Sequence, residues 1–276
     1  MMTTEQTDAL EVRTRTRRNV LAIGSILGGT LLSGCKSENI IFQPPENSKP
    51  HRHPGHLAGS QDPNCFLRGT RILTPNGEKQ IEDLVIGDSV CTIGNGAKPI
   101  RWIGRRRYSR RSETGWWTDV KPVKIEKGVL SFGVPSADLF VSQGHRLYFD
   151  GALIAATDLI NGTSINLDEC LDKTELDYLH VLTEGHSIVV SEGAASETLL
   201  FDPINLKSFD NFGEYEDRYG SPSGEVEQPC APVYGSVGNR ARLLSHLRSA
   251  LSLWVDWRNP IDRVRDRLET GTLITL

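Results

Sequence analysis

From residue 65 onward, apolar and polar residues alternate in short runs that turn residues separate. The run Thr70–Thr74 alternates, and Asn76-Gly77 is typical of a type I′ hairpin turn leading into a returning run, Lys79–Leu84. Similar runs occur at Ser89–Ile93, Ile100–Ile103, Pro122–Ile125 and Asp138–Val141. So many short strands at this spacing predict an all-β domain over residues 65–202.

Two further hairpins are predicted in the second half of this domain. Arg146–Phe149 and Ala152–Ile154 flank the turn dipeptide Asp150-Gly151. Another strand pair is predicted at Tyr178–Leu182 and Ser187–Val190, closing around Glu184-Gly185.

The pattern changes after Asp202. Residues 203–238 are polar and rich in Gly, Asp and Pro, which predicts an irregular segment. Residues 239–270 are predicted to form a C-terminal α-helical appendage. It has a stripe of apolar residues at helical spacing, which Pro260 ends, and a shorter helical piece near Asp262–Leu268. The stripe consists of Leu243, Leu247, Leu251 and Trp254. It either packs on the β domain, the preferred interpretation, or lies on a membrane surface.

The N-terminus has the pattern of an export signal. Arg17-Arg18 precedes a glycine-containing apolar run that ends near Leu32, shorter than the roughly 20 residues a membrane span needs. This arrangement resembles a twin-arginine signal, and Leu32-Ser33-Gly34-Cys35 resembles a bacterial lipobox, in which the cysteine is acylated and becomes the mature N-terminus. Residues 1–35 therefore predict a lipoprotein of the bacterial cell envelope, anchored through lipid on Cys35 and facing the periplasm or the exterior. The alternative is that Cys35 is only a small residue near an ordinary cleavage site.

Residues 36–64 contain five prolines among polar residues, which predicts a flexible linker. Such a linker would hold the folded part near a membrane without touching it, over about 30 Å as a coil. His51, His53 and His56 lie close together and are candidates for weak metal binding. A solvated turn is preferred, because no carboxylate or cysteine accompanies them.

Composition narrows the class of protein without identifying it. The chain has 276 residues, 38% of them hydrophobic, and a formal charge of −4, so one main domain is expected and nothing indicates nucleic-acid binding. Its five cysteines are Cys35, Cys65, Cys91, Cys170 and Cys230. With Cys35 lipidated and Cys65 reduced, an odd number remains, which argues against a disulfide framework. Cys91 is expected to be buried in its strand.

The stretch from Cys65 to Val90 resembles the opening block of the Hint (Hedgehog/intein-type) domain family. Its elements occur in the family's order: Cys65-Phe66, Gly69-Thr70, a hairpin at Asn76-Gly77, Asp83-Leu84 and Gly87-Asp88. Val141–Leu147 is similar to the second block, which has Thr or Ser three residues before a His, and Tyr178–Val190 is similar to a strand pair near the end of inteins. Arg101–Arg106 and Phe149-Asp150-Gly151 look most like the bacterial single Hint domains.

The resemblance implies a compact Hint-type β fold and self-cleavage at Asn64–Cys65. The Cys65 sulfur is placed by its own backbone to attack the Asn64 carbonyl and form a thioester. The thiol needs a local base, and the leaving amine needs a proton, for which an imidazole of ordinary pKa about 6.5 suits neutral pH. His145 is the candidate for both, and Ser142 is expected to hydrogen-bond the scissile amide or the ring. His180 occupies a place where many inteins carry an assisting Asp.

Two departures from the family limit the expected reaction. A splicing intein has His-Asn and a new nucleophile after its last strand, whereas Ser191-Glu192-Gly193-Ala194 follows here. Hedgehog-type sterol transfer uses an aspartate that Ile103–Arg106 does not offer. We therefore expect single-turnover cleavage without splicing, with the thioester consumed by water, an amine or a thiol, and with no cofactor or metal. The alternative is a non-catalytic membrane-anchored lipoprotein that uses the Hint fold to bind a partner, which the sequence does not name.

Overall fold

The computed structural model describes residues 64–110, 116, 118–235 and 260–270. The predicted export signal with Cys35, the linker before Asn64, its three histidines and the helical stripe at 243–254 lie outside these residues. None of the helices described is long and apolar enough to cross a membrane.

Short strands dominate the described residues, which confirms the all-β prediction. In chain order they are β1 (Phe66–Leu67), β2 (Arg71–Thr74), β3 (Gly77–Gln80), β4 (Ser89–Thr92), β5 (Gly96–Ser109), β6 (Val123–Ile125), β7 (Leu139–Val141), β8 (Arg146–Phe149), β9 (Ala152–Ala155), β10 (Ile165–Leu167), β11 (Glu175–Thr183), β12 (Ile188–Ser191), β13 (Ala194–Glu197) and β14 (Val233–Tyr234). The described residues also contain three α-helices: α1 (Pro203–Leu206), α2 (Phe212–Tyr219) and α3 (Pro260–Thr270). Short 3-10 helices lie at Ile81–Asp83, Thr118–Val120 and Ala156–Leu159.

The strands form two sheet regions that the long strand β5 connects. Their order is β10-β6-β7-β1-β11-β5-β4-β12-β13-β8-β9-β14, and β2 pairs with β12 and β3. β5 pairs with β4 through its first residues and with β11 through the rest of its length. Because β1 lies between β7 and β11, the chain enters the domain at the middle of one sheet region.

The first predicted hairpin is present, but its turn differs from the prediction. Thr74 pairs with Gly77, so the loop residues are Pro75 and Asn76. A type I′ turn needs positive φ at both loop residues, and proline holds φ near −65°. The positive φ of 106° falls on Gly77 instead.

The predicted pairing of the last two strands is wrong. β11 pairs along its whole length with β5, whereas β12 pairs with β13, a strand that sequence reasoning did not assign. The β12–β13 turn consists of Glu192 and Gly193, with φ values of 47° and 82° that suit a type I′ turn. The Glu184-Gly185 turn instead carries the chain from one sheet region to the other.

The segment 203–238, predicted to be irregular, contains α1, α2 and β14. Asp202 caps α1 by accepting hydrogen bonds from the backbone N–H groups of the first turn, and Pro203 occupies its first position. Phe209 and Tyr215 pack edge-on against the buried ring of Trp102. Helices this short bury only a few residues each, so their apolar periodicity is too weak to stand out in a polar stretch.

Helix α3 packs on the β domain. Its Ile261 and Val264 are buried in the main core, and Arg267 forms an ion pair of 2.7 Å with Asp150 in the β8–β9 turn. The predicted helical piece near residue 262 is therefore present and is held by the domain.

Candidate active site

Cys65 lies at the entry of the chain into the domain, immediately before β1. The first residue of that strand, Phe66, pairs with Val141 of β7 and with Leu179 of β11. Cys65 has no exposed surface. The Asn64–Cys65 peptide bond is therefore held where β7 and β11 flank the start of β1.

Ser142 follows β7 directly and binds both backbone groups of Cys65. The Cys65 N–H donates to Ser142 Oγ at 2.8 Å, and the Ser142 N–H donates to the Cys65 carbonyl at 2.8 Å. A turn follows, in which the His145 N–H donates to the Ser142 carbonyl at 3.1 Å. The three-residue spacing of Ser142 and His145 thus places both residues on one turn beside β1.

His145 is completely buried, with its ring 4.2 Å from the ring of Phe66. Within the described residues neither of its ring nitrogens has a hydrogen-bond partner. Burial, together with the charge of Arg146, lowers the pKa of His145 to about 3. The expectation of an imidazole that titrates near neutral pH is therefore wrong, since this ring is neutral at pH 7.

His180, from the middle of β11, lies next to His145. Their ring centroids are 5.0 Å apart, and the His180 ring lies 5.5 Å from Phe66. Burial lowers the pKa of His180 well below its usual value, with a further contribution from His145. The structure thus brings Ser142, His145 and His180 together around the first two residues of the domain.

Glu197, at the end of β13, is a buried carboxylate that sequence reasoning missed. Its Oε1 accepts hydrogen bonds from Asn64 Nδ2 and from the Arg146 backbone N–H, both at 3.0 Å. The Arg146 guanidinium forms an ion pair with its Oε2 at 3.1 Å. Burial alone would raise the pKa of Glu197, but His186 and Arg146 more than offset this and lower it. No clear signal in the sequence marks this burial, because Glu197 lies between the polar residues Ser196 and Thr198.

His186 links this carboxylate to the segment that follows the β domain. Its Nδ1 accepts a hydrogen bond from the Cys230 backbone N–H at 3.1 Å, so the ring proton lies on Nε2. That nitrogen lies 3.4 Å from Glu197 Oε2, although it is not aligned for a hydrogen bond. Glu227 accepts the His186 backbone N–H at 2.9 Å. The segment around Glu227 and Cys230 therefore holds the turn that carries His186.

Gly144 provides space beside Asn64. A Cβ at position 144 would lie 2.5 Å from Asn64 Oδ1, closer than real Cβ atoms come to other atoms. The backbone of Gly144 is not in the left-handed region, so the glycine is needed for space and not for its conformational freedom.

The other cysteines are distributed over the domain. Cys170 is buried, whereas Cys91 is partly exposed, contrary to expectation, because the alternation of β4 turns Val90 and Thr92 inward. In the described part of the chain, no group of three His, Cys, Asp or Glu side chains is arranged to hold a metal ion.

Comparison with known proteins identifies similar domains. The family model described as Hint domain matches residues 64–203, just over half of the chain. No curated protein sequence matches. Among solved structures, the gp41-1 intein is 14% identical with a TM-score of 0.35 over 48% of this chain and 97% of the intein. An intein-like domain from Clostridium thermocellum is 16% identical with a TM-score of 0.36 over 49% of this chain and 97% of that domain. These similarities carry no conclusion about activity.

Proposed function

The chain belongs to the Hint domain family, and from this premise we propose that it cleaves its own Asn64–Cys65 peptide bond by an N-to-S acyl shift, without splicing. The family's intein-like fold suggests autoprocessing in general. The observation that carries the specific proposal is the 2.8 Å hydrogen bond from the Cys65 N–H to Ser142 Oγ. This bond holds the nitrogen that leaves when the peptide bond breaks, and it does so at the turn that also carries His145.

The proposed step exchanges one bond for another and moves one proton. Cys65 Sγ attacks the Asn64 carbonyl carbon, the C–N bond to Cys65 breaks, and the thiol proton moves to the departing nitrogen. His145 is neutral at pH 7, so it can relay the thiol proton to the amine, although burial makes it a weaker base than an exposed imidazole. The charged ring is costly in this buried place, which favours its rapid return to the neutral form. His180, whose ring lies 5.0 Å from that of His145, is the second neutral base of the site.

The thioester is then hydrolysed or captured by an amine or a thiol. Splicing is not part of the proposal, since Ser191–Ala194 lacks the His-Asn pair followed by a nucleophile that splicing needs. Glu192, in the β12–β13 turn, instead accepts hydrogen bonds from Arg71 and Ser136, which gives it a structural role.

We extend the proposal to the cell envelope. Residues 1–35 would export the chain and attach lipid to Cys35, and cleavage would separate a lipidated peptide, 35–64, from the domain. The compartment outside the cytoplasm is oxidising, but the complete burial of Cys65 protects its thiol from capping in the folded domain.

The complete burial of Cys65 and His145 favours a second candidate function. A site without exposed surface restricts the access of a bulky acceptor to the thioester. In this alternative the domain stays attached to its anchor and serves as a partner-binding module without catalysis. Persistence of the intact chain in cells would support it.

The deciding experiment expresses the exported chain beside Cys65→Ala, His145→Ala and, as a matched control, Cys91→Ala. Intact mass is read over time with and without hydroxylamine or a small thiol. We expect the wild type and Cys91→Ala to release a domain beginning at Cys65, and the other two variants to remain whole. A wild-type chain in which residues 36–64 stay joined to Cys65 in every condition would refute self-cleavage.

A further inference from the structure

The residue before the cleavage point has a side chain held by the domain. Asn64 Nδ2 donates to Glu197 Oε1 at 3.0 Å across 133 residues of sequence. Its other amide atom, Oδ1, occupies the space that a side chain at Gly144 would fill. Neither contact involves atoms of the scissile bond, so both concern the identity of residue 64.

We propose that Glu197, Arg146 and Gly144 form a pocket that selects a neutral amide side chain at the position before the cleavage point. The proposal rests on the function given above, because it treats Asn64 as part of the substrate. Within it, Glu197 is a positioning residue that sets which upstream sequence the domain processes.

The charges of the pocket favour an uncharged donor. Glu197 is 1% exposed and ionised, and the Arg146 guanidinium compensates its charge. Aspartate at position 64 would place a second carboxylate against Glu197, and lysine would add an uncompensated cation. Both are unfavourable in a buried site, where unbalanced charges are costly. An amide supplies the hydrogen that Glu197 accepts and adds no charge.

The shape of the pocket favours asparagine in particular. The amide oxygen packs against the Gly144 backbone at a distance that leaves no room for a Cβ. Glutamine carries the same amide on a side chain one methylene longer, so its oxygen would need space that Gly144 alone does not provide. Hydrogen bonding and packing together therefore fix the length of the side chain.

Holding the side chain also holds the reacting group. The Asn64 side chain and the Asn64 carbonyl are attached to the same Cα, so an anchored amide restricts the rotation of the carbonyl that Cys65 attacks. The contact to Glu197 does not depend on the scissile C–N bond. It therefore retains the upstream acyl group after the amine has left and while the thioester awaits its acceptor.

A reciprocal exchange tests the hydrogen bond. Asn64→Asp is expected to slow cleavage by about tenfold or more, the effect of losing a hydrogen bond to a charged group. Adding Glu197→Gln supplies an amide that donates to the new carboxylate at position 64, so the double variant should regain most of the lost rate. The matched control, Asn166→Asp, adds the same charge elsewhere and should cleave at the wild-type rate. Equal slowing by Asn64→Asp in chains with and without Glu197→Gln would overturn the proposal.

A second comparison tests the pocket without any cleavage. In Cys65→Ala chains, Gly144→Ala should lower the melting temperature when residue 64 is asparagine, by about 3 °C or more. The same change should have little effect when residue 64 is glycine. Independent effects of the two substitutions would overturn the pocket. If the effect of Gly144→Ala on the melting temperature depends on residue 64 but the chain with Cys65 never cleaves, the pocket is retained. Only the proposed function is then refuted.

Discussion

Lowering the pH should destabilise the domain because unfolding allows His145 to bind a proton. The substitution His145→Leu should remove this part of the pH dependence. The folded-state pKa of about 3 lies below the ordinary value of 6.5, so the unfolded chain binds a proton that the folded chain excludes. The stabilisation from the neutral ring is complete above pH 6.5 and is lost progressively as the pH falls towards 3. Each pH unit in this window removes about 1.4 kcal/mol.

Between pH 7 and pH 5 the contribution of His145 amounts to about 2 kcal/mol of unfolding free energy. His145→Leu places an apolar side chain of similar size against Phe66 and removes the imidazole that titrates. In a Cys65→Ala background, where no cleavage interferes, this variant should lose about 2 kcal/mol less than its parent over that range. The other acidic and basic groups titrate in both chains. Burial, the larger cause, keeps the pKa of His180 low without His145, so the difference between the chains reports mainly on the His145 ring.

The measurement is urea unfolding at pH 7, 6 and 5, followed by tryptophan fluorescence, since Trp102 is fully buried in the folded domain. Cys91→Ala, at a partly exposed strand position, serves as a control that should follow the parent at every pH. Parallel pH dependence in the parent and His145→Leu would refute the neutral buried imidazole. A steeper loss in the variant would show that the ring is charged in the folded state.

Three further changes probe separate parts of the structure. Ser142→Ala removes the acceptor for the scissile N–H and should slow cleavage by about tenfold or more, whereas Ser142→Thr keeps a hydroxyl and should cleave well. Equal cleavage rates of the two variants, read from intact mass over time, would contradict the role assigned to Ser142. Gly104→Ala places a Cβ 2.5 Å from the Phe209 ring and should cost about 1–3 kcal/mol in urea unfolding, a loss that Phe209→Ala should abolish. Glu192→Ala removes the carboxylate that binds the Arg71 backbone and guanidinium and should lower the unfolding free energy by about 1.5–3 kcal/mol; an unchanged urea midpoint would contradict this.

Local pattern predicted most of the strands and the β2–β3 and β8–β9 hairpins, but not the other pairings. The strands near residues 71, 89 and 146 occur where alternation placed them, because period-two burial is a property of consecutive residues. The strand near residue 152 follows the predicted Asp150-Gly151 turn. The pairing of β11 with β5, and of β12 with β13, joins segments whose partners are chosen by packing. Strand β11 is buried through most of its length, so alternation along it carries little information about its neighbour.

Some residues of the candidate site could be predicted from the sequence, and others only from the structure. The motif spacing of Cys65, Ser142 and His145 was visible in the chain, and a spacing along the sequence needs no coordinates. Glu197 was not visible as a site residue, because its partner Asn64 lies 133 residues away and only folding brings them together. The ionisation of the site was mispredicted for a related reason, since a side-chain pKa depends on burial and on neighbouring charge.

The sequence by itself determined the β class of the domain, which follows from short-range pattern, and its resemblance to the Hint family implied the candidate nucleophile, Cys65. Only the tertiary structure decided that His145 is neutral and that His180 lies beside it, because both depend on how completely the two sheet regions exclude water. It also decided that Asn64 is bound by its side chain. That contact exists because β13 and the chain entering β1 converge on one buried carboxylate.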